Sequence, residues 1–142
     1  NASGDIHVSP GDKIPGIPAQ SLKVRTDYDL TDTISLGGNV MVFSSQYARG
    51  DENNQDANGK VPGYTLVNLD ARYQRTKQLS FFGRIDNVFD TDYQTLGVLG
   101  QNFFNGPGRT FDASGVTSEQ FRSAGAPRAA WVGVTYAFDQ KH

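Results

Sequence analysis

The stretch 64-YTLVNLDARYQR-75 decides the fold. Val67, Leu69, Ala71 and Tyr73 fall on alternate positions, and Asn68, Asp70, Arg72 and Gln74 fill the places between them. A period of two belongs to a strand with one apolar and one polar face, because a helix repeats every 3.6 residues. Four other segments repeat the pattern. Upstream, 21–30 sets Leu22, Val24, Thr26, Tyr28 and Leu30 against Lys23, Arg25, Asp27 and Asp29, and 33–47 carries Ile34, Leu36, Val40 and Val42 on one face. Downstream, 79–89 sets Leu79, Phe81, Ile85 and Phe89 opposite Ser80, Arg84 and Asp86, and 129–138 aligns Val132, Val134, Tyr136 and Phe138. Segments of about ten residues are long enough to cross a bilayer as tilted strands.

Composition agrees. The 142 residues are 37% hydrophobic and 11% aromatic with 16 Gly and 6 Pro, a balance that favours strands and turns over helices. No run of roughly 18 apolar residues occurs, which excludes a membrane-spanning helix but not a spanning strand, where only alternate residues meet lipid. The formal net charge of -2 gives no footprint for nucleic acid. There is no cysteine. Asn1 opens in loop-like sequence without a signal peptide, so the chain reads as a fragment of one domain with a cut edge there.

The connections sharpen the reading. Thr31-Asp32 and Thr76-Lys77-Gln78 are tight turns, whereas 1–20, 48–63 and 90–128 are long. Short turns at one end and long loops at the other are the habit of outer-membrane barrels, whose turns are periplasmic and whose loops are extracellular. By that parity 1–20 is extracellular and His142 periplasmic. Lys23, Arg25, Arg72 and Arg84 all lie on the polar faces. One Arg or Lys on the lipid face near the midplane costs roughly 2–4 kcal/mol, and a one-residue slip of register would expose them all at once. The fold class expected is therefore all-β: antiparallel up-and-down strands of a transmembrane barrel. Tyr47, Tyr64, Tyr73 and Trp131 are expected at the bilayer interfaces. A passive porin-like barrel and a soluble β-sandwich binding module are the alternatives, the latter requiring its apolar rows to be covered by a second sheet.

Five stretches, in order, resemble the end of TonB-dependent outer-membrane receptors. They are 11-GDKIPGIP-18 with 21-SLKV-24, the Pro-Gly-Tyr entry 61-VPGYTLVNL-69, and Asn87-Val88-Phe89-Asp90 followed by Tyr93. The last two are Gly125-Ala126-Pro127-Arg128 with 131-WVGV-134, and 134-VTYAF-138. The most specific is Asn87, Phe89, Asp90 and Tyr93, with Pro127 and Arg128 next. Turn chemistry explains Asn87 and Asp90 more readily than ligand binding does.

The resemblance implies the last five strands of a barrel of about 22 strands, closed around an N-terminal plug. It implies a transporter of the Gram-negative cell outer membrane that takes up a scarce nutrient such as a ferric siderophore, haem or cobalamin. Energy would come from the TonB complex through the plug, which this sequence does not include. The expected partners are outer-membrane lipid, a metal chelate or similar small ligand, and the barrel-assembly machinery. Val132, Val134, Tyr136 and Phe138 resemble the assembly signal, from which the tail Asp139 to His142 departs by continuing past the aromatic residue. This piece would supply wall, late loops and the closing strand.

Enzymatic chemistry finds no support in the sequence. His7 and His142 are the two histidines and both lie in terminal segments, so no central base is available for a Ser or Cys nucleophile. No cofactor is called for. Asn54, Asp56, Asn58 and Gly59 copy the first, third, fifth and sixth positions of a calcium loop. However, Thr65 stands where the bidentate Glu belongs, so a disordered polar tip is the better reading and no metal site is assigned. The candidate ligand site is in the 90–128 loop, where Phe103, Phe104, Arg109, Phe111 and Arg122 lie among Gly, Asn and Ser. Aromatic rings with arginines suit a bulky anionic or aromatic ligand, although the same rings are equally suited to packing the loop on itself.

Overall fold

A computed structural model describes residues 5–138. Seven strands follow in chain order: β1 Ser21–Thr31, β2 Ile34–Phe43, β3 Tyr64–Gln74, β4 Leu79–Asp86, β5 Gln94–Asn102, β6 Thr117–Ala124 and β7 Ala129–Tyr136. They divide between two compact units.

The first unit draws on residues 21–43, 64–92 and 126–138 and is a five-stranded antiparallel sheet in the order β1-β2-β3-β4-β7. Its register brings the alternation into rows. Tyr28, Leu36, Ala71, Gly83 and Val132 lie side by side across all five strands, and Ile34, Tyr73, Phe81 and Val134 form the next row. The other face carries Asp27, Gly37, Asp70, Arg84 and Trp131 in one row and Asp29, Ser35, Arg72, Phe82 and Gly133 in another. The apolar face has no cover: Val132 is 90% exposed, and Leu22, Val24, Tyr28, Leu36, Leu69, Phe81 and Ile85 are exposed as well. An apolar surface this continuous needs a non-aqueous neighbour.

Two tight turns join the strands at one end by the same device. Thr31 Oγ1 accepts the N–H groups of Thr33 and Ile34, and Thr76 Oγ1 accepts those of Gln78 and Leu79. A threonine hydroxyl thus substitutes for ladder partners where the chain reverses. At the opposite end Ser21 pairs with Phe43, Phe43 with Tyr64, and Asp86 with Ala129, so every long connection leaves there.

On the polar face Gly37 lets charges meet across β2. Arg25 of β1 bonds Asp27 and reaches Asp70 of β3, with its Nη1 donating to Asp70 Oδ1 at 3.1 Å. A Cβ on Gly37 would lie 2.3 Å from Asp70 Oδ2 and 2.8 Å from Arg25 Nη2. Arg84 pairs with Asp86 at 2.8 Å.

The second unit gathers the described residues of 1–20 with 44–63 and 93–125. Its sheet is the antiparallel hairpin β5–β6, tipped by a single 3-10 turn at Pro107–Arg109. The 44–63 loop is stitched to it. Arg49 N–H donates to Gly97 O, Leu99 N–H to Arg49 O, Gln46 Nε2 to Thr95 O and Gln120 Nε2 to Gly59 O. Ala48 and Val61 are fully buried within this unit.

Several sequence expectations need correction. The segment 33–47 ends its strand at Phe43, because the chain turns away to pair Ser44 with Gln20 and Gln46 with Val61. The segment 79–89 ends at Asp86, since Asn87 takes a left-handed φ of 51°, and Phe89 leaves the apolar row. The segment 129–138 ends at Tyr136. The 90–128 loop is no irregular excursion but holds β5 and β6. Tyr64 and Trp131 belong to polar rows, and Tyr47 lies in the loop unit with the Lys60 ammonium 4.5 Å from its ring centre. Of the four aromatics expected at the interfaces, Tyr73 is on the apolar face, where it stacks on Phe81.

Candidate functional site

The β5–β6 hairpin positions the loop residues singled out by sequence. Cross-strand pairing sets Val98 against Phe121 and Gly97 against Arg122, and Asn102 opposite Thr117 starts the tip. Gly108 and Arg109 both take left-handed φ, 68° and 59°, and so fold Pro107–Arg109 into the tight turn. Beyond it Asp112 closes a second turn, its Oδ1 accepting from the Ser114 hydroxyl and from the N–H groups of Ser114 and Gly115. The Ser114 bonds, with a smaller share from Gly115, hold the Asp112 carboxyl below its ordinary range despite a small opposing desolvation.

An open recess of about 630 Å³ lies along this hairpin, and Phe104, Arg109, Glu119, Gln120, Phe121 and Arg122 are among its walls. Of the five predicted ligand residues, Phe104, Arg109 and Arg122 meet here. Phe103 and Phe111 do not line it; they stack on each other at 6.1 Å, and Phe104 meets Phe111 edge-on at 5.9 Å. Phe103 and Phe111 thus pack the tip as the self-packing alternative expects, and Phe104 both meets Phe111 and borders the recess. Arg122 Nε donates to Gln120 Oε1 at 2.6 Å, which fixes its plane. Among the described residues neither Arg109 nor Arg122 has an acidic partner. Two guanidinium forks beside an aromatic ring suit a planar anion, with Glu119 offsetting part of the charge. Glu119 and Gln120 escaped sequence reasoning because polar β6 residues carry no pattern of their own.

Asn87 is a structural clamp. It is 3% exposed. Its N–H donates to Asn68 Oδ1 at 2.8 Å, its Nδ2 to Thr91 O and Ala126 O, and its Oδ1 accepts from Thr91 N–H. Asn68 in turn donates to Asn39 Oδ1, so three asparagines link β2, β3 and the end of β4. Asp90 Oδ1 accepts the N–H of Arg128 at 2.9 Å, which ties the chain after β4 to the chain before β7 beside Pro127. Tyr93 packs its ring where a side chain on Gly125 would stand, and its carbonyl accepts the Gly125 N–H. Phe89 is exposed.

On β7, Val132, Val134 and Tyr136 occupy the apolar face, and Phe138 meets Tyr136 edge-on at 4.9 Å just beyond the strand. The tail Asp139 to His142 lies outside the described residues. At the supposed calcium tip, Asn54 is spent on backbone bonds to Lys13 and Asp51, and Asp56 Oδ1 on the N–H of Asn58. The tip is an ordered set of turns, not a disordered one.

Residues 4–88 match the family described as TonB dependent receptor-like, beta-barrel. The chain is 30% identical over 118 residues to the ferric enterobactin receptor of Pseudomonas aeruginosa, covering 73% of this chain and 16% of that receptor. It is 36% identical over 61 residues to the vitamin B12 transporter BtuB of Vibrio vulnificus, covering 42% and 10%. Its fold is shared with the siderophore receptor PiuA of Acinetobacter baumannii, at a TM-score of 0.65 and 20% identity over 89% of this chain and 15% of that one. The chain thus spans only a small part of each relative's length. Receptors of this kind are Gram-negative outer-membrane proteins, which explains the uncovered apolar face. The family match and the rows of the sheet agree that this chain belongs to the TonB-dependent receptor β-barrel family.

Proposed function

We propose that the chain is the C-terminal part of an outer-membrane active transporter, not an enzyme, for a scarce nutrient such as a ferric siderophore, haem or cobalamin. In this reading 21–43, 64–86 and 129–138 are the last wall strands of a barrel of about 22. The ends that lead into 1–20, 48–63 and 90–128 face outward, and β7 closes on the first strand. Transport is energised through TonB acting on a plug elsewhere in the protein. Val132, Val134, Tyr136 and Phe138 present the closing strand to the barrel-assembly machinery, and the apolar rows meet lipid.

The observation that carries the ligand assignment is the recess where Phe104, Arg109 and Arg122 meet. Its two guanidiniums, neither with an acidic partner among the described residues, favour an anionic chelate with aromatic groups, a class consistent with the ferric enterobactin receptor among the relatives. The test is binding of a ferric tris-catecholate to the full-length receptor in detergent. Arg109→Ala with Arg122→Ala is expected to weaken it at least tenfold, and unchanged affinity would remove the assignment. Uptake by whole cells should vanish without TonB, whereas a passive porin would be indifferent.

A further inference from the structure

A carboxylate with one idle oxygen lies buried in the loop unit. Asp51 is 2% exposed. Its Oδ1 accepts the N–H groups of Gln55 at 2.8 Å and Asp56 at 3.0 Å. Its Oδ2 is equally buried and has no hydrogen-bond partner among the described residues. Turn closure therefore accounts for one oxygen and leaves the other without a reason to be buried, and an orphaned acceptor on a charged group is among the costliest features a fold can keep.

Asp51 lines a recess of about 610 Å³ together with Asn53, Gln55, Asp56, Gln101 and Ser118. Every polar side chain in that wall offers an oxygen, two are acidic, and no Lys, Arg or His is among them. The wall brings together the 50–56 loop and the paired strands β5 and β6, which carry Gln101 and Ser118.

We propose that this recess binds a hard divalent cation, Ca2+, with Asp51 Oδ2 as its anchor. Asp56 keeps one carboxylate oxygen after its Oδ1 accepts from Asn58, and the amide and hydroxyl oxygens with water complete an all-oxygen shell. Transition metals are disfavoured because the wall offers neither imidazole nor thiolate. Mg2+ is disfavoured because it demands a small, rigid octahedron, which flexible Asn and Gln side chains do not make. Nowhere among the described residues do three His, Cys, Asp or Glu converge. With two carboxylates the affinity belongs to the weak class of extracellular calcium modules, with Kd about 10⁻⁴ to 10⁻³ M. Only Asp56 is shared with the Asn54-Asp56-Asn58 spacing that mimics a helix-loop calcium motif; Asp51, Asn53, Gln55, Gln101 and Ser118 lie outside it. The cation would cross-link the 50–56 loop to the hairpin.

The test is hydrogen exchange of the 50–56 amides in the full-length receptor in detergent, titrated with CaCl2 after chelator treatment, with MgCl2 as the comparison. Ca2+ should slow exchange about fivefold or more, with a midpoint in the range of about 0.1 to 1 mM, and Mg2+ should act at least tenfold more weakly. Asp51→Asn keeps the Oδ1 acceptor and should remove the response. No slowing in the parent protein up to about 10 mM Ca2+, well above that range, would overturn the proposal, as would an equal response in Asp51→Asn. Should that variant fail to fold, Gln101→Glu decides: a third carboxylate should tighten the Ca2+ midpoint about tenfold, and an unchanged midpoint refutes the site.

Discussion

Replacing Gly37 with Ala tests whether the polar face is held by charges that meet across β2. The new Cβ would stand 2.3 Å from Asp70 Oδ2 and 2.8 Å from Arg25 Nη2, well inside contact distance, so the pair must separate. Two terms then oppose each other. Removing a glycine from a strand interior gains about 0.5–1 kcal/mol. Losing the Arg25–Asp70 pair costs a similar amount, because the two side chains are 50% and 37% exposed and water screens them; exposed pairs are worth about 0.2–1 kcal/mol. Net stability should therefore barely move, and the decisive quantity is the coupling between Arg25 and Asp70. A double-mutant cycle with Arg25→Gln and Asp70→Asn, read by urea unfolding of the full-length receptor in detergent, should give a favourable coupling within that same range in the parent. It should fall to about zero in the Gly37→Ala background. Gly38→Ala is the control: its Cβ meets Leu69 Cδ2 at 3.2 Å and the Asn68 carbonyl at 3.7 Å and touches neither charge, so the Arg25–Asp70 coupling should be unchanged. A coupling that survives Gly37→Ala would show that the charges do not depend on the missing side chain.

Removing the Asn87 side chain with Asn87→Ala strands Thr91 N–H and two carbonyls and leaves an alanine at φ 51°, so destabilisation of about 2–4 kcal/mol is expected from the urea midpoint. Val40→Arg, on the apolar face, should cost roughly 2–4 kcal/mol of folding into lipid vesicles, while Met41→Arg one residue later should cost far less. Because the Asp112 carboxyl is lowered in the folded state, its contribution to the turn is complete above the unfolded value of about 3.9 and is lost as pH falls through the lower folded value. Exchange at the Ser114 and Gly115 amides should accelerate there, and Asp112→Ala should accelerate it at neutral pH. Expressed alone, with β1 and β7 each bonded on one side only, the chain should aggregate or require detergent; a monodisperse soluble monomer in plain buffer would contradict the barrel reading.

The five-stranded sheet was legible in the sequence because a sheet with one apolar and one polar face enforces strict alternation, and the observed register keeps Val40, Val67, Ala71 and Phe81 on the face that their spacing assigns. Trp131 shows where a residue-type habit misled. Its neighbours Val132 and Val134 fix its side as polar, and strand parity outweighs the interfacial preference of the ring. The loop unit was not legible, for a different reason. β6 reads Thr-Ser-Glu-Gln-Phe-Arg-Ser-Ala with no apolar face, and it is a strand because β5 offers it a ladder, a long-range fact that no local pattern records. Asp51 belongs to no alternation or motif in the sequence, and its buried carboxylate and the recess it shares with Gln101 and Ser118 exist only in the folded unit. Phe104, Arg109 and Arg122 stand out by residue type and the fold sets them along one recess, while Glu119 and Gln120 join that wall only through the hairpin.

The stitching of the 44–63 loop to the hairpin constrains how such receptors can change what they recognise. Arg49, Gln46 and Gly59 each find their partners on β5 or β6, so a loop transplanted alone into another receptor would arrive with its bonds unmet. Recombination that moves both pieces together would keep them. New specificity in this region should therefore be inherited as a cassette, with exchange boundaries falling in the wall strands on either side.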